Sequence, residues 1–91
     1  MLAAFIAPLA NADKGISCEQ FSELAESIMV FRQEGSSIVE AMKIAGENEG
    51  IRSIVISAYK KNQYQTDEYR KRAITDFGNE YYLVCVEARK G

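Results

Sequence analysis

The sequence predicts an all-α fold: a small four-helix domain in which the first and last helices are antiparallel and joined by a disulfide. Three observations favour this fold. Serine or threonine stands where three of the helical segments would begin, the only proline is Pro8, and the two cysteines lie near opposite ends of the helical part. A chain of 91 residues is long enough for one domain with a modest core.

The first predicted helix begins at Ser17 and ends at Gly35. Ser17 with Gln20 three residues later has the pattern of a capping box, and glycine is common just past a helix end. Between them, apolar residues recur at the three- and four-residue spacing of an amphipathic helix. The residues of this stripe are Cys18, Phe21, Leu24, Ala25, Ile28 and Phe31.

The second and third helices are predicted from Ser37 to Gly46 and over residues 51–61. Ser37 begins another capping box, with Glu40 three residues later, and a polar loop follows at 46–50. Residues 51–61 have helical apolar spacing, but the β-branched run within them also allows a strand. We prefer a helix, because a lone strand would leave its backbone hydrogen bonds unsatisfied.

The fourth predicted helix begins at Thr66, with Asp67 and Glu68 in its first turn, where the helix dipole favours acidic side chains. Gly78 lies in its middle, so a break there is the alternative to one continuous helix. The predicted inner face consists of Ala73, Phe77, Tyr81, Val84, Cys85 and Ala88.

Cys18 and Cys85 are predicted to form a disulfide. In an up-down-up-down arrangement the first and last helices are antiparallel neighbours. The first turn of one, which holds Cys18, then lies beside the last turns of the other, which hold Cys85. The alternative is a pair of unpaired thiols in a cytosolic protein.

Residues 1–12 predict a signal peptide that is cleaved after Ala12. They carry no charged side chain and end in the small-x-small tripeptide Ala10–Ala12. They are too short to span a bilayer, which needs about 20 residues. A basic region before them is missing, so either the natural start lies upstream or the segment is retained in a cytosolic protein. We expect a periplasmic or secreted protein with a single helical domain, 13–91, and no stable membrane span after cleavage.

The composition argues against enzymatic chemistry. Without histidine the chain can form neither a Ser-His-Asp nor a Cys-His catalytic site, and two cysteines cannot complete an all-cysteine zinc site. The carboxylates Glu19, Glu23 and Glu26 are more typical of a solvated helix face than of a metal or glycosidase site. We therefore expect no enzyme activity, no cofactor and no metal ion.

A basic and aromatic stretch, residues 59–72, is the candidate binding site. It reads YKKNQYQTDEYRKR, with five bases against Asp67 and Glu68. Tyrosine and arginine are favoured at protein–protein contacts; interleaved bases and aromatics also bind single-stranded nucleic acid, and a solvated helix junction is the third interpretation. We expect a protein partner and no nucleic acid. The candidate contact residues are Tyr59, Lys60, Lys61, Tyr64, Tyr69, Arg70 and Arg72.

The residues Ser17–Phe21, SCEQF, followed by Ala25–Ser27, AES, resemble the start of the HdeA/HdeB family of periplasmic acid-stress chaperones. This resemblance implies a signal peptide, a short all-helical fold and one disulfide. The second cysteine here lies much closer to the C-terminus than it does in that family. The chain as a whole, including Tyr81–Cys85, looks more like small exported two-cysteine helical proteins of bacteria and phages, which implies a compartment and no activity.

The function expected from the sequence is that of an exported protein-binding module that masks or inhibits a protein of the cell envelope, possessed by a bacterium or by a phage or prophage. Residues 13–50 carry eight acids and three bases, whereas 51–91 carry five acids and eight bases, a polarity that could also steer homodimer formation. One alternative is an HdeA-like chaperone, activated when acid protonates the carboxylates. The other is a cytosolic regulator, if residues 1–12 are retained.

Overall fold

The computed structural model describes residues 16–90, and these residues form four helices and no strand, which confirms the predicted all-α fold. The helices are α1 (Cys18–Glu34), α2 (Ile38–Ala45), α3 (Glu49–Tyr59) and α4 (Asp67–Lys90). The predicted signal peptide, 1–12, and the expected start of the domain at 13 lie outside the described residues. None of the four helices within 16–90 is long and apolar enough to cross a bilayer.

The predicted N-cap serines of the first two helices are confirmed, and the predicted capping box is complete at Ser17 but has only one of its two bonds at Ser37. The backbone N–H of Gln20 donates to Ser17 Oγ, and the N–H of Ser17 donates to Gln20 Oε1, both at 3.0 Å. Ser37 Oγ accepts from the backbone N–H of Glu40 at 3.1 Å. Gly35 ends α1 with φ 89°, a left-handed conformation that glycine adopts without a Cβ clash.

The third segment is a helix, but its predicted bounds were wrong. It begins at Glu49 rather than at 51, because Asn48 Oδ1 accepts from the backbone N–H of Ile51 at 3.0 Å and caps the helix earlier. It ends at Tyr59, two residues before the predicted end. Burial of Ile54 and Val55 in the core explains why this β-branched run is helical.

Helix α4 continues without a break through Gly78, which is buried against α1. A Cβ at this position would lie only 2.5 Å from Glu26 Cγ, and the hydroxyl of Ser22 donates to the Gly78 carbonyl oxygen at 2.9 Å. Glycine therefore serves the close approach of α1 and α4 rather than a break in α4. Thr66 Oγ1 accepts from the N–H of Tyr69 at 3.2 Å and caps the helix as predicted.

Helix α1 is the central element of the fold. It packs against α4 along most of its length and against α3, which in turn packs on α2. The domain is flat, with extents of 50 × 29 × 17 Å. Small side chains allow this close packing, since four of the nine residues of the core are alanines. The core consists of Ala25, Ile28, Met29, Ala41, Ala45, Ile54, Val55, Ala58 and Phe77.

The predicted disulfide between Cys18 and Cys85 is present and joins α1 to α4, with the two Cα atoms 5.5 Å apart. The predicted inner face of α4 was wrong at Val84 and Ala88, which are both exposed. Ala88 lies beyond the start of α1, because α4 has 24 residues and α1 has 17. Val84 is 53% exposed because it lies about 100° around the helix from Cys85, whose side chain is bonded to α1.

Candidate protein-binding site

A cleft of about 540 Å³ opens between the loop after α3 and the first half of α4. We call it the tyrosine cleft. Its floor contains Met29 and Phe77, which are 1% and 2% exposed and belong to the core. An apolar floor with polar walls is typical of a binding site. The walls include Lys60, Lys61, Tyr64, Tyr69, Arg72, Asp76 and Glu80.

Two tyrosine rings form one wall of the tyrosine cleft. The centroids of Tyr64 and Tyr69 are 5.9 Å apart with the rings tilted by 35°, and the side chains are 37% and 51% exposed. The guanidinium carbon of Arg72 lies 5.8 Å from the centroid of Tyr69, which is within cation–π range. The wall therefore presents aromatic surface beside a positive charge.

The charges around the tyrosine cleft are only partly neutralised. Lys61 Nζ lies 3.3 Å from Glu80 Oε1, an ion pair that links the loop to α4. Arg72 pairs with Glu68 at 3.6 Å along α4 itself. Lys60 is exposed and forms no ion pair within residues 16–90. Because all these charges are solvated, each existing pair contributes about 1 kcal/mol or less and can be exchanged for a partner's carboxylate.

A buried glutamine fixes the loop that forms the tyrosine cleft. Gln33 is 1% exposed; its Oε1 accepts from the N–H of Tyr64 at 2.9 Å, and its Nε2 donates to the Asn62 carbonyl oxygen at 2.8 Å. Arg32 Nε also donates to the Lys61 carbonyl oxygen at 3.0 Å. These bonds order the loop before any partner binds, which lowers the entropic cost of binding.

Five of the seven candidate contact residues line the tyrosine cleft: Lys60, Lys61, Tyr64, Tyr69 and Arg72. The other two donate hydrogen bonds to backbone carbonyl oxygens instead, Tyr59 in the α1–α2 connection and Arg70 in the loop after α3. Tyr59 donates its hydroxyl to the Ser36 carbonyl oxygen at 2.7 Å, and Arg70 Nε donates to the Tyr64 carbonyl oxygen at 2.8 Å. Burial raises the pKa of Tyr59, while the positive charge of Arg32, whose guanidinium lies 5.4 Å from the Tyr59 ring, acts in the opposite direction.

The sequence interpretation missed Met29, Asp76 and Glu80 in the cleft, and Gln33 behind it. Gln33 had a detectable signal: it follows Ala25 and Met29 at four-residue spacing, so it continues a buried face of α1. A polar residue in such a register is expected to be satisfied by hydrogen bonds. Within residues 16–90, no group of three cysteine or acidic side chains could hold a metal ion.

The fold and the site together define a disulfide-linked all-α domain with an ordered, open cleft of tyrosines and basic residues. No family model matches this chain, and the searches of curated proteins and of solved structures each gave no significant match. The geometry of the cleft and the chemistry of its residues are therefore the features that bear on function.

Proposed function

We propose that the protein is an exported protein-binding module that masks or inhibits a protein of the cell envelope, and that the tyrosine cleft is its contact surface. The observation that carries this proposal is the convergence of Tyr64, Tyr69 and Arg72 over a buried apolar floor. Tyrosine and arginine are the residue types that most often dominate binding energy at protein interfaces. The partial exposure of both rings leaves area that a partner would bury.

The composition of the cleft favours a partner segment that carries an acidic side chain next to an aromatic or aliphatic one. Lys60 offers an unpaired ammonium group for the acid, and the Tyr64 and Tyr69 rings offer a stacking surface for the apolar side chain. Three bases against two acids, Asp76 and Glu80, give the lining a positive balance. A strongly basic partner would be disfavoured.

Export is supported by the covalent bond between α1 and α4. Disulfides persist in oxidising compartments, and small exported domains commonly need one. The proposal predicts that protein recovered from a periplasmic fraction has the intact mass of residues 13–91 less two hydrogens, and that its thiols become alkylated only after reduction. A full-length product with two free thiols would instead favour the cytosolic alternative.

The binding proposal is tested by site-specific photo-cross-linking followed by affinity measurement. A photoreactive residue in place of Tyr69 is expected to capture an envelope protein, whereas the same residue in place of Val39, on α2, is not. With the purified partner, the Tyr64→Ala/Tyr69→Ala variant is expected to bind about 100-fold more weakly. Lys60→Ala is expected to weaken binding by several fold, and Lys71→Ala, which removes an exposed lysine outside the cleft lining, is the matched control.

Two outcomes would contradict the binding proposal. One is unchanged affinity in a correctly folded Tyr64→Ala/Tyr69→Ala variant. The other is a large drop in melting temperature in that variant, which would make the two tyrosines structural residues. The exposures of both rings and their position in the wall predict instead a nearly unchanged melting temperature.

A second candidate function is that of an acid-activated periplasmic chaperone. The observation in its favour is the exposed apolar surface near the end of α4, at Leu83 and Val84, which are 60% and 53% exposed. In strong acid the thirteen carboxylates become neutral and eleven bases remain, so self-repulsion would loosen the helices. Suppression of client aggregation in strong acid but not at neutral pH distinguishes this function from binding through the tyrosine cleft.

A further inference from the structure

Helix α4 contains six consecutive apolar residues, Tyr81–Val86, between Glu80 and Glu87. Because a helical turn has 3.6 residues, these six side chains occupy every side of the helix. We call this segment the apolar band. Only one side of it is covered: Cys85 is bonded to α1, and the Tyr81 ring packs edge-on against Phe21 at 5.7 Å. A helix that is apolar around its whole circumference is typical of a buried helix.

The uncovered part of the apolar band is substantial. Leu83 is 60% exposed, Val84 53%, and Tyr82 and Val86 each 37%. Isolated exposed apolar residues need no explanation, but a continuous exposed run of this kind marks an interaction surface. Helix α4 packs mainly against α1 within residues 16–90, and this contact leaves the outward part of the band exposed.

The outward face of α4 has the spacing of a helix–helix contact. Asp76, Asn79, Leu83, Val86 and Lys90 follow one another at intervals of three, four, three and four residues and are all exposed. Leu83 is central, with Asp76 seven residues before it and Lys90 seven residues after it. Neither Asp76 nor Lys90 forms an ion pair within the described chain.

This pattern is complementary to itself when two helices run antiparallel. Around a two-fold axis at Leu83, each position a given number of residues after Leu83 meets the position that many residues before it. Leu83 then meets the partner subunit's Leu83, and Lys90 meets the partner subunit's Asp76. By symmetry, Asp76 also meets the partner subunit's Lys90. The contact therefore has a small apolar centre at Leu83 with one ion pair on each side of it.

We propose that two copies of the protein associate through the outward faces of their α4 helices, antiparallel and centred on Leu83. A contact of about four helical turns buries on the order of 1,000 Å² in total, which is the range of weak, reversible complexes. The dimer therefore forms at micromolar or higher concentration. Asp76 is the one residue of this face that also lines the tyrosine cleft. Leu83 and Val86 lie outside the cleft lining, so Leu83→Asp tests the dimer without altering the surface of the proposed function.

The test is sedimentation equilibrium on the full oxidised chain, from about 1 μM to about 1 mM, the range in which a weak dimer dissociates and forms. The native protein is expected to change from monomer to dimer. Leu83→Asp is expected to raise the dissociation constant by at least 100-fold. Val39→Asp is the matched control, because Val39 on α2 is also 60% exposed but lies outside the proposed face; its dissociation constant is expected to equal that of the native protein.

A charge exchange tests the antiparallel register. Asp76→Lys and Lys90→Asp are each expected to raise the dissociation constant several fold, and the double variant is expected to return to within about twofold of the native value. A monomer at every concentration overturns the proposal. Equal increases in the dissociation constant for Leu83→Asp and Val39→Asp would contradict the proposed face. A dissociation constant of the double variant that stays as high as those of the single variants would contradict the register centred on Leu83.

Discussion

The two ends of the α1–α4 pair are held together by different means. At the cleft end, hydrogen bonds from Gln33 and Arg32 fix the loop that precedes α4. At the other end, the bond between Cys18 and Cys85 joins the helices directly. The polar bonds order a loop and thereby shape a cleft, whereas the covalent bond holds two helices without covering them. The first end therefore has an ordered cleft, and the second end retains exposed apolar surface at Leu83 and Val84.

Removal of the disulfide is expected to have the largest effect on the unfolding free energy. The Cys18→Ser/Cys85→Ser variant should lose about 4 kcal/mol of unfolding free energy, because the disulfide closes a loop of nearly the whole described chain and restricts the unfolded state. Urea denaturation measures this loss, and reduction of the native protein should reproduce it. A loss below about 1 kcal/mol would show that packing alone holds the disulfide end of the domain.

Loss of the Gln33 hydrogen bonds at the cleft end is expected to have the next largest effect on the unfolding free energy. Gln33→Ala should lower the unfolding free energy by about 2 kcal/mol, because the N–H of Tyr64 and the carbonyl of Asn62 lose their buried partners. The amide proton of Tyr64 should also exchange faster. Gln65→Ala is the control, since Gln65 is an exposed glutamine of the same loop and its loss should cost less than about 0.5 kcal/mol. Equal losses in the two variants would contradict the role assigned to Gln33.

The smallest effect is expected at Tyr59, beside the cleft end, and it should depend on pH. Burial raises the folded-state pKa of this hydroxyl above the unfolded value, so the folded state favours the neutral form. The resulting stabilisation is fully present below the unfolded pKa of about 10 and is lost as the pH rises through the folded pKa.

Unfolding free energies of the native protein and of Tyr59→Phe, measured from neutral to strongly alkaline pH, check this prediction. Tyr59→Phe should cost about 1 kcal/mol at neutral pH, where the bond to Ser36 is lost. The difference between the two proteins should shrink as the pH rises. Tyr69→Phe controls for removal of a hydroxyl from a more exposed ring. A difference that stays constant with pH would contradict titration of Tyr59 in the folded protein.

Local signals in the sequence predicted most of the fold. Ser17, Ser37 and Thr66 cap helices as expected, because a cap depends only on residues three positions apart. The disulfide followed from helix order and direction. Asn48 was missed because the loop around it looked polar and rich in glycine, although asparagine is itself a preferred cap. The role of Gly78 required knowledge of where Glu26 would lie in space.

Burial along α4 could not be predicted from its period alone. The apolar residues of its second half occupy every side of the helix, so the sequence does not distinguish the side that meets α1 from the sides that meet solvent. At the candidate site, composition indicated Tyr64, Tyr69 and their basic neighbours. It could not separate them from Tyr59 and Arg70, which have the same residue types but donate hydrogen bonds to backbone carbonyl oxygens of the α1–α2 connection and of the loop after α3.

The disulfide turns nearly all of the described chain into a closed ring, because its two cysteines are 67 residues apart and lie close to Ile16 and Lys90. Tension applied between those two ends would pass through the sulfur atoms and the last turns of α4, and would bypass the residues between the two cysteines. A single protease cut inside the ring would leave both pieces attached. Ile16 and Lys90 both lie at the disulfide end of the domain, away from the α3–α4 loop. A tether attached to either residue would therefore leave the tyrosine cleft accessible.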